Sequence, residues 1–259
     1  MLLAIDVGNT NITYGVFDGT KLKASFRTRS ETSRTSDERG SGIRELLHLN
    51  NIEVEKIDGA IIASVVPNVM HSLNSAIRKY LNLTPMIVGP GIKTGIKIRT
   101  DNPREVGADR IVDAVGAFTK YGGPVLVLDF GTGTTYDFVN EKGELLAGVI
   151  VPGVGISARA LWEGAAKLPE IEIADPGSVL ATNTVTAMQA GLVYGQIGQT
   201  EYIINRMKSE TGISDLKVVA TGGYASVVAS GTKSIDVIDS ELTLDGLRII
   251  YEKNQNRKS

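Results

Sequence analysis

LLAIDVGNTNITYGVFDG, residues Leu2–Gly19, reads as an apolar strand ending near Asp6, a polar turn containing glycine, and a second strand. The chain repeats this pattern as VLVLDFGTGTTYDFVNEKG, Val125–Gly143. Asp6 aligns with Asp129 and Gly8 with Gly131, a constant offset of 129 − 6 = 123 residues. Small hydroxyl or amide residues follow each glycine: Thr10 and Asn11 in the first copy, Thr132 and Thr134 in the second. Glycine lets a backbone approach a ligand closely, and consecutive amides in such a turn form an anion-binding nest. A carboxylate at the strand end suits hydrated Mg²⁺, which takes one or two carboxylates plus waters and phosphate oxygens. A hairpin whose aspartate caps its own turn would explain one copy. Two aligned copies point instead to a two-sided cradle for the phosphates of ATP. The P-loop pattern GxxxxGK[ST] and the dinucleotide pattern GxGxxG do not occur, so the cradle is of another kind.

Outward from the first copy, Lys21–Thr28 reads as a third strand after a turn at Gly19, and Arg29–Arg39 as a loop. A helix to about Asn50 follows, with Ile43, Leu46, Leu47 and Leu49 as a partial apolar stripe. Ile57–Val66 is a buried strand ended by Pro67, Asn68–Leu81 is amphipathic, and Met86–Val88 is a short strand. Gly89–Asp101 reads as irregular or extended. Asn102, Pro103 and Glu105 carry the chemistry of a helix N-terminus, predicting a helix from Pro103 to about Lys120 with Gly107 in its second turn.

The second copy continues through strands Thr134–Asn140 and Leu145–Ile150 into GVIVPGVGIS and a helix carrying Ala158, Leu161 and Ala165. A linker around Pro169–Pro176 precedes a long helix, Asn183–Ser209. Strand Leu216–Thr221 runs straight into Gly222-Gly223 at another helix start. Glu241–Lys253 is a terminal helix, followed by a charged tail expected to fray. The matching order of strands and helices predicts a duplicated α/β fold, with halves at residues 1–120 and 121–259.

Composition narrows the function classes. The chain has 259 residues, 42% apolar and 22% charged, with a net charge of −2. No basic tract suggests a nucleic-acid partner. There are no cysteines, which excludes disulfides and thiolate catalysis and suits a reducing cytoplasm. No apolar run approaches the roughly 20 residues of a membrane-spanning helix, and the few residues before Asp6 are too short for a signal peptide's apolar core. A soluble cytoplasmic protein is expected.

Asp109 and Arg110 lie in EVGADR, about two turns into the helix predicted from Pro103. An aspartate beside a substrate hydroxyl can accept its proton in phosphoryl transfer, and an arginine can clamp an anion. A solvated charged pair on a helix face is the plain alternative. Asp113, four residues on, either shares that site or is exposed. Gly222 and Gly223 would let an adenosine lie against the backbone, or simply allow close packing at a strand-to-helix turn. His48 and His71 stand apart from any carboxylate cluster and offer no metal triad. Trp162 reads as a core or subunit-interface residue.

DVGNT at Asp6–Thr10, NPREVGADRIVDAVGA at Asn102–Ala117, DFGTGTT at Asp129–Thr135, PGVGIS at Pro152–Ser157, NTVTAMQAG at Asn183–Gly191 and ATGG at Ala220–Gly223 together resemble type III pantothenate kinases, in the family's order. The Asp-x-Gly turns alone resemble the wider superfamily of acetate and sugar kinases, heat-shock chaperones and actin. The resemblance implies two actin-like (ribonuclease H-like) halves flanking a nucleotide cleft, a homodimer, and phosphorylation of pantothenate by ATP. It also implies Mg²⁺ and a monovalent cation, K⁺ or NH₄⁺. By position, Asp6, Val7, Gly8, Asn9, Thr10, Asn11, Ile12 and Thr13 would bind ATP together with Thr132, and Asp109 would accept the proton. Gly107, Ala108, Asp109, Arg110 and Thr184 would contact pantothenate. Thr100 stands where the family usually has a pocket tyrosine. Asp6 would serve Mg²⁺ through water and Asp129 would ligate K⁺, although the residues alone allow Asp129 either ion. A regulatory homologue, an actin-like filament former and a kinase of another small acid or sugar are the alternatives.

Overall fold

The computed structural model describes residues 1–255; the tail expected to fray lies, from residue 256, outside the described residues. The chain opens with β1 (Leu2–Val7), β2 (Asn11–Asp18) and β3 (Lys21–Arg29), joined by tight turns. Helix α1 (Ser36–Leu49), β4 (Gly59–Ser64), α2 (Pro67–Leu81) and β5 (Met86–Ile87) follow. These strands form a sheet of order β3-β2-β1-β4-β5. The hairpin pairs are antiparallel, and β4 runs parallel to β1 and to β5. Strand β1 is apolar on both faces because both are covered. Leu3, Ile5 and Val7 join Ile43 and Leu47 of α1 and Leu73 and Ile77 of α2 in one core. A capping box closes the start of α1: the Thr35 hydroxyl accepts from Glu38 N–H while the Glu38 carboxylate accepts from Thr35 N–H.

The stretch read as irregular between Gly89 and Asp101 contains β6 (Lys97–Ile98). The helix predicted from Pro103 is two elements: a 3₁₀ turn over Pro103–Glu105 and α3 (Ala108–Tyr121). Asn102 makes no side-chain cap bond, and its carbonyl instead accepts from Glu105 N–H at 3.0 Å. Val106 then turns extended, at φ −70° and ψ 120°. The helix begins again at Gly107, whose carbonyl accepts from Ile111 N–H at 3.2 Å. Asp109 consequently sits in the first turn of α3, not two turns in.

The second copy builds β7 (Val125–Phe130), β8 (Gly133–Val139) and β9 (Glu144–Pro152), then α4 (Val154–Gly164) and the 28-residue α5 (Thr184–Thr211). Strand β10 (Lys217–Thr221), α6 (Ala225–Ala229), β11 (Val237–Ile238) and α7 (Leu242–Gln255) complete the chain. The second sheet has the order β11-β10-β7-β8-β9-β6. Without β6 this matches the first sheet strand for strand, so the duplicated mixed α/β architecture is present. Leu126, Leu128 and Phe130 meet Val154 and Ala158 of α4, Val193 and Ile204 of α5, and Val228 of α6 in its core.

The chain forms two compact units. One holds Met1–Lys97, Asp101–Gly116 and α7; the other holds Ile98–Thr100 and Ala117–Glu241. A division at residue 120 would assign α7 to the second half, but α7 packs in the first unit. Leu244, Leu247 and Ile250 meet Leu2, Ala4 and Phe17, together with Val112 and Val115 of α3, on the face of the first sheet away from α1 and α2.

Candidate functional site

In the first unit Asp6 is the penultimate residue of β1, in register with Thr13 of β2 and Ala63 of β4. The turn Gly8–Asn11 closes through Gly8 N–H donating to Asn11 O at 3.0 Å. Ser30 N–H, just past β3, donates to Thr10 O at 2.9 Å and ties the turn down. Asn9, Thr10 and Asn11 are exposed, whereas Val7 and Ile12 are wholly buried in the core behind them. Neither of those two residues presents a surface to a nucleotide, so the exposed part of the turn is Asn9–Asn11.

The Gly107–Arg110 segment lies at the same end of the same sheet. Val65 N–H, just past β4, donates to Val7 O at 3.1 Å, and a Cβ on Gly107 would lie 3.4 Å from Val65 Cγ1. That Cβ would also lie 2.4 Å from Asp109 Oδ1. Glycine at 107 is therefore the residue that lets the Asp109 carboxylate fold back over the helix start. Asp109 Oδ1 accepts from Arg110 N–H at 2.8 Å, which leaves its second oxygen outside that bond. Asp113 is not exposed. It is 3% exposed and accepts from Thr243 Oγ1 at 2.6 Å, joining α3 to α7.

In the second unit Asp129 is in register with Thr135 of β8 and Thr221 of β10. Its turn is one residue shorter: Phe130 pairs with Thr134, whereas Val7 pairs with Ile12. The offset of 123 therefore becomes 135 − 13 = 122 on the second strands. Glycines enclose the Asp129 carboxylate. A Cβ on Gly222 (φ +94°) would lie 2.4 Å from Oδ1, and one on Gly131 would lie 3.1 Å from Oδ2. Gly223 is exposed, with open space around it.

Gly153 was not singled out from sequence, although the PGVGIS motif contains it. It precedes α4 and donates its N–H to Thr132 O at 3.2 Å. A Cβ there would strike the carbonyl oxygens of Gly131 and Thr132 at 2.5 and 2.4 Å. It thus fixes the turn that carries Thr132. Thr184 is the exposed first residue of α5, behind the Asn183 cap that accepts from Thr186 N–H at 3.0 Å. Thr100 belongs to the second unit, unlike Gly107–Arg110, and its buried Oγ1 has no hydrogen-bond partner.

Among the described residues no group of three or more His, Cys, Asp or Glu could hold a metal. Asp6 and Asp129 each stand at a glycine-containing turn. A single carboxylate at such a turn fits a cation completed by water and phosphate oxygens, as Mg²⁺ is in phosphoryl-transfer sites. His48 and His71 are exposed, and Trp162 is partly buried against the second core.

Residues 2–206 match the family model described as type III pantothenate kinase. Over 258 residues the chain is 59% identical to the type III pantothenate kinase of Agathobacter rectalis, covering 100% of this chain and 99% of that one. Among solved structures, a candidate 2-dehydro-3-deoxygalactonokinase from Sinorhizobium meliloti superposes with a TM-score of 0.66 at 12% identity, over 98% of this chain and 96% of the other. A candidate Baf family transcriptional activator from Campylobacter jejuni gives 0.57 at 17%, over 98% and 99%. At such identities these two structures support the fold alone.

Proposed function

The chain belongs to the type III pantothenate kinase family, and from that premise we propose that it phosphorylates pantothenate with ATP. The products are 4′-phosphopantothenate and ADP, the first step of coenzyme A synthesis. The observation that carries the reading is Asp109: Gly107 makes room for its carboxylate at the sheet end that also holds the Asp6 turn.

Asp109 accepts the proton of the primary hydroxyl as that oxygen attacks the γ-phosphorus in line. Arg110, Gly107, Ala108, Thr184 and Thr100 contact pantothenate. The amides of Asn9–Asn11 and the Thr13 hydroxyl hold phosphate oxygens at the turn that Gly8 closes, Thr132 binds ATP from the second turn, and Gly222-Gly223 receive adenosine. Phosphoryl transfer has a loose transition state, so positioning and electrostatics carry most of the rate. Asp6 would hold Mg²⁺, and Asp129 would hold K⁺ or NH₄⁺. When bound, these ions neutralise charge that builds up on the phosphate oxygens.

The active form is a homodimer. The second unit exposes large apolar side chains, among them Ile150, Leu161, Val179 and Leu180, the last 83% exposed. Such a surface suits burial against a second copy. The setting is cytoplasmic, in keeping with a chain without cysteine. No helix among the described residues is long and apolar enough to cross a membrane. The test is a panel of small hydroxylated acids and sugars with ATP, Mg²⁺ and K⁺. Pantothenate should support ADP release, and a panel in which another substrate alone does so would reassign the acceptor.

A further inference from the structure

The exposed residues of edge strand β3 include Lys21, Lys23, Arg27 and Arg29. Arg27 pairs across the sheet with Thr13, and Thr13 pairs with Asp6. Directly opposed residues share one side of a sheet, so Asp6, Thr13 and Arg27 form a single row. Alternation puts Asp6 on the side of Leu2 and Ala4, the side on which α3 packs. Arg29 stands opposite Asn11, one pleat nearer the turn. Two inter-strand spacings separate the Asp6 and Arg27 backbones, about 10 Å. Neither arginine side chain makes an ion pair or hydrogen bond with a described residue.

The duplicated fold supplies its own control. The corresponding row in the second unit is Asp129–Thr135–Ile150, and Ile150 is 64% exposed. The architecture therefore does not demand an arginine at this place. An anion approaching the Asp6 turn meets a carboxylate of like charge. A guanidinium in the same row offers the opposite charge, in a planar fork that matches phosphate oxygens.

We infer that Arg27, with Arg29 beside it, binds the terminal phosphate of the nucleoside triphosphate on the α3 side of the first sheet. The inference rests on the kinase reading above. The competing explanation is that charge on β3 only guards an open sheet edge against pairing with another chain. Edge protection needs no particular phosphate and no particular row.

Calorimetric binding of ATP and of ADP, each with Mg²⁺, to the full-length protein separates the two. Arg27→Gln should weaken ATP by about ten- to a hundredfold, the loss of a charge-assisted hydrogen bond, with ADP affinity unchanged. Arg27→Lys should recover part of the loss. Lys21→Gln, at the far end of the strand, should alter neither nucleotide. Equal weakening of ATP and ADP, no weakening of either, or an equal effect from Lys21→Gln would overturn the inference. If Arg27→Gln does not fold, the ATP-to-ADP ratio of Arg27→Lys decides. A wild-type protein that never phosphorylates pantothenate, yet loses ATP selectively on Arg27→Gln, would sink the choice of acceptor and leave the arginine standing. Wild-type turnover with an unchanged nucleotide ratio in the variant would do the reverse.

Discussion

Gly222 is packed directly against the carboxylate of Asp129. A Cβ built on it would lie 2.4 Å from Asp129 Oδ1 and 2.6 Å from the backbone N and C of Phe130, and its φ is +94°. Both the left-handed backbone and the space exclude a side chain. Gly222→Ala should cost on the order of 1–3 kcal/mol of stability and displace Asp129. Its thermal midpoint should fall and its K⁺ activation curve should shift to higher concentration. Gly223→Ala, in open space, should keep the wild-type thermal midpoint. Asp129→Ala should flatten the K⁺ titration, and an unchanged curve would remove that residue from the cation's site.

Asp109→Asn should lower kcat by about 10²–10⁴-fold, the usual worth of a general base, while ATP binding persists. Gly107→Ala should mimic it in part, because the new methyl takes the space of Asp109 Oδ1. Steady-state kinetics with both substrates varied checks this. A near-wild-type kcat for Asp109→Asn would exclude proton transfer to that carboxylate.

Thr243 Oγ1 donates to the buried Asp113 carboxylate at 2.6 Å, across 130 residues of sequence. Thr243→Val keeps the shape and removes the donor. It should destabilise the protein by about 1–3 kcal/mol, the cost of a buried acceptor losing a partner. Denaturant unfolding measures this, and a loss well under that range would show that other groups satisfy Asp113.

Tyr14 is 2% exposed and stacks on Phe26 with ring centroids 5.0 Å apart. Burial pushes its phenol above the ordinary 10.0, and the same cause raises Tyr136. Below pH 10 both folded and unfolded chains keep these protons. As the pH rises past 10 the unfolded chain ionises first, binds fewer protons, and gains on the folded state. Stability should therefore fall on the alkaline side, and Tyr14→Phe should make that fall shallower. An identical alkaline slope in the variant would discount the buried phenol.

What the sequence revealed follows from the range of each interaction. The hairpins around Asp6 and Asp129 were legible because apolar strands flank short turns. The sequence places the start of α3 too early because Asn102, Pro103 and Glu105 carry genuine helix-start chemistry, which closes a single 3₁₀ turn before Val106 turns extended. The capping box at Thr35 and Glu38 opens α1 inside the polar stretch Arg29–Arg39, whose composition reads as loop. Strands of two residues, such as Val237–Ile238, exist only through their sheet partners and leave no periodicity. The Asp113–Thr243 bond, the return of α7 to the first unit and the clash that fixes Gly153 are all tertiary. At the candidate site, residue types were legible in advance. The reasons for Gly107 and Gly222 were not, because each answers to a carboxylate whose position the fold decides.

Pantothenate-dependent ADP release by the purified protein with ATP, Mg²⁺ and K⁺, run beside Asp109→Asn, tests the pantothenate kinase assignment most directly. Robust ADP formation should require pantothenate and collapse in the variant. No ADP above the pantothenate-free background, from a protein that still binds ATP, would contradict it.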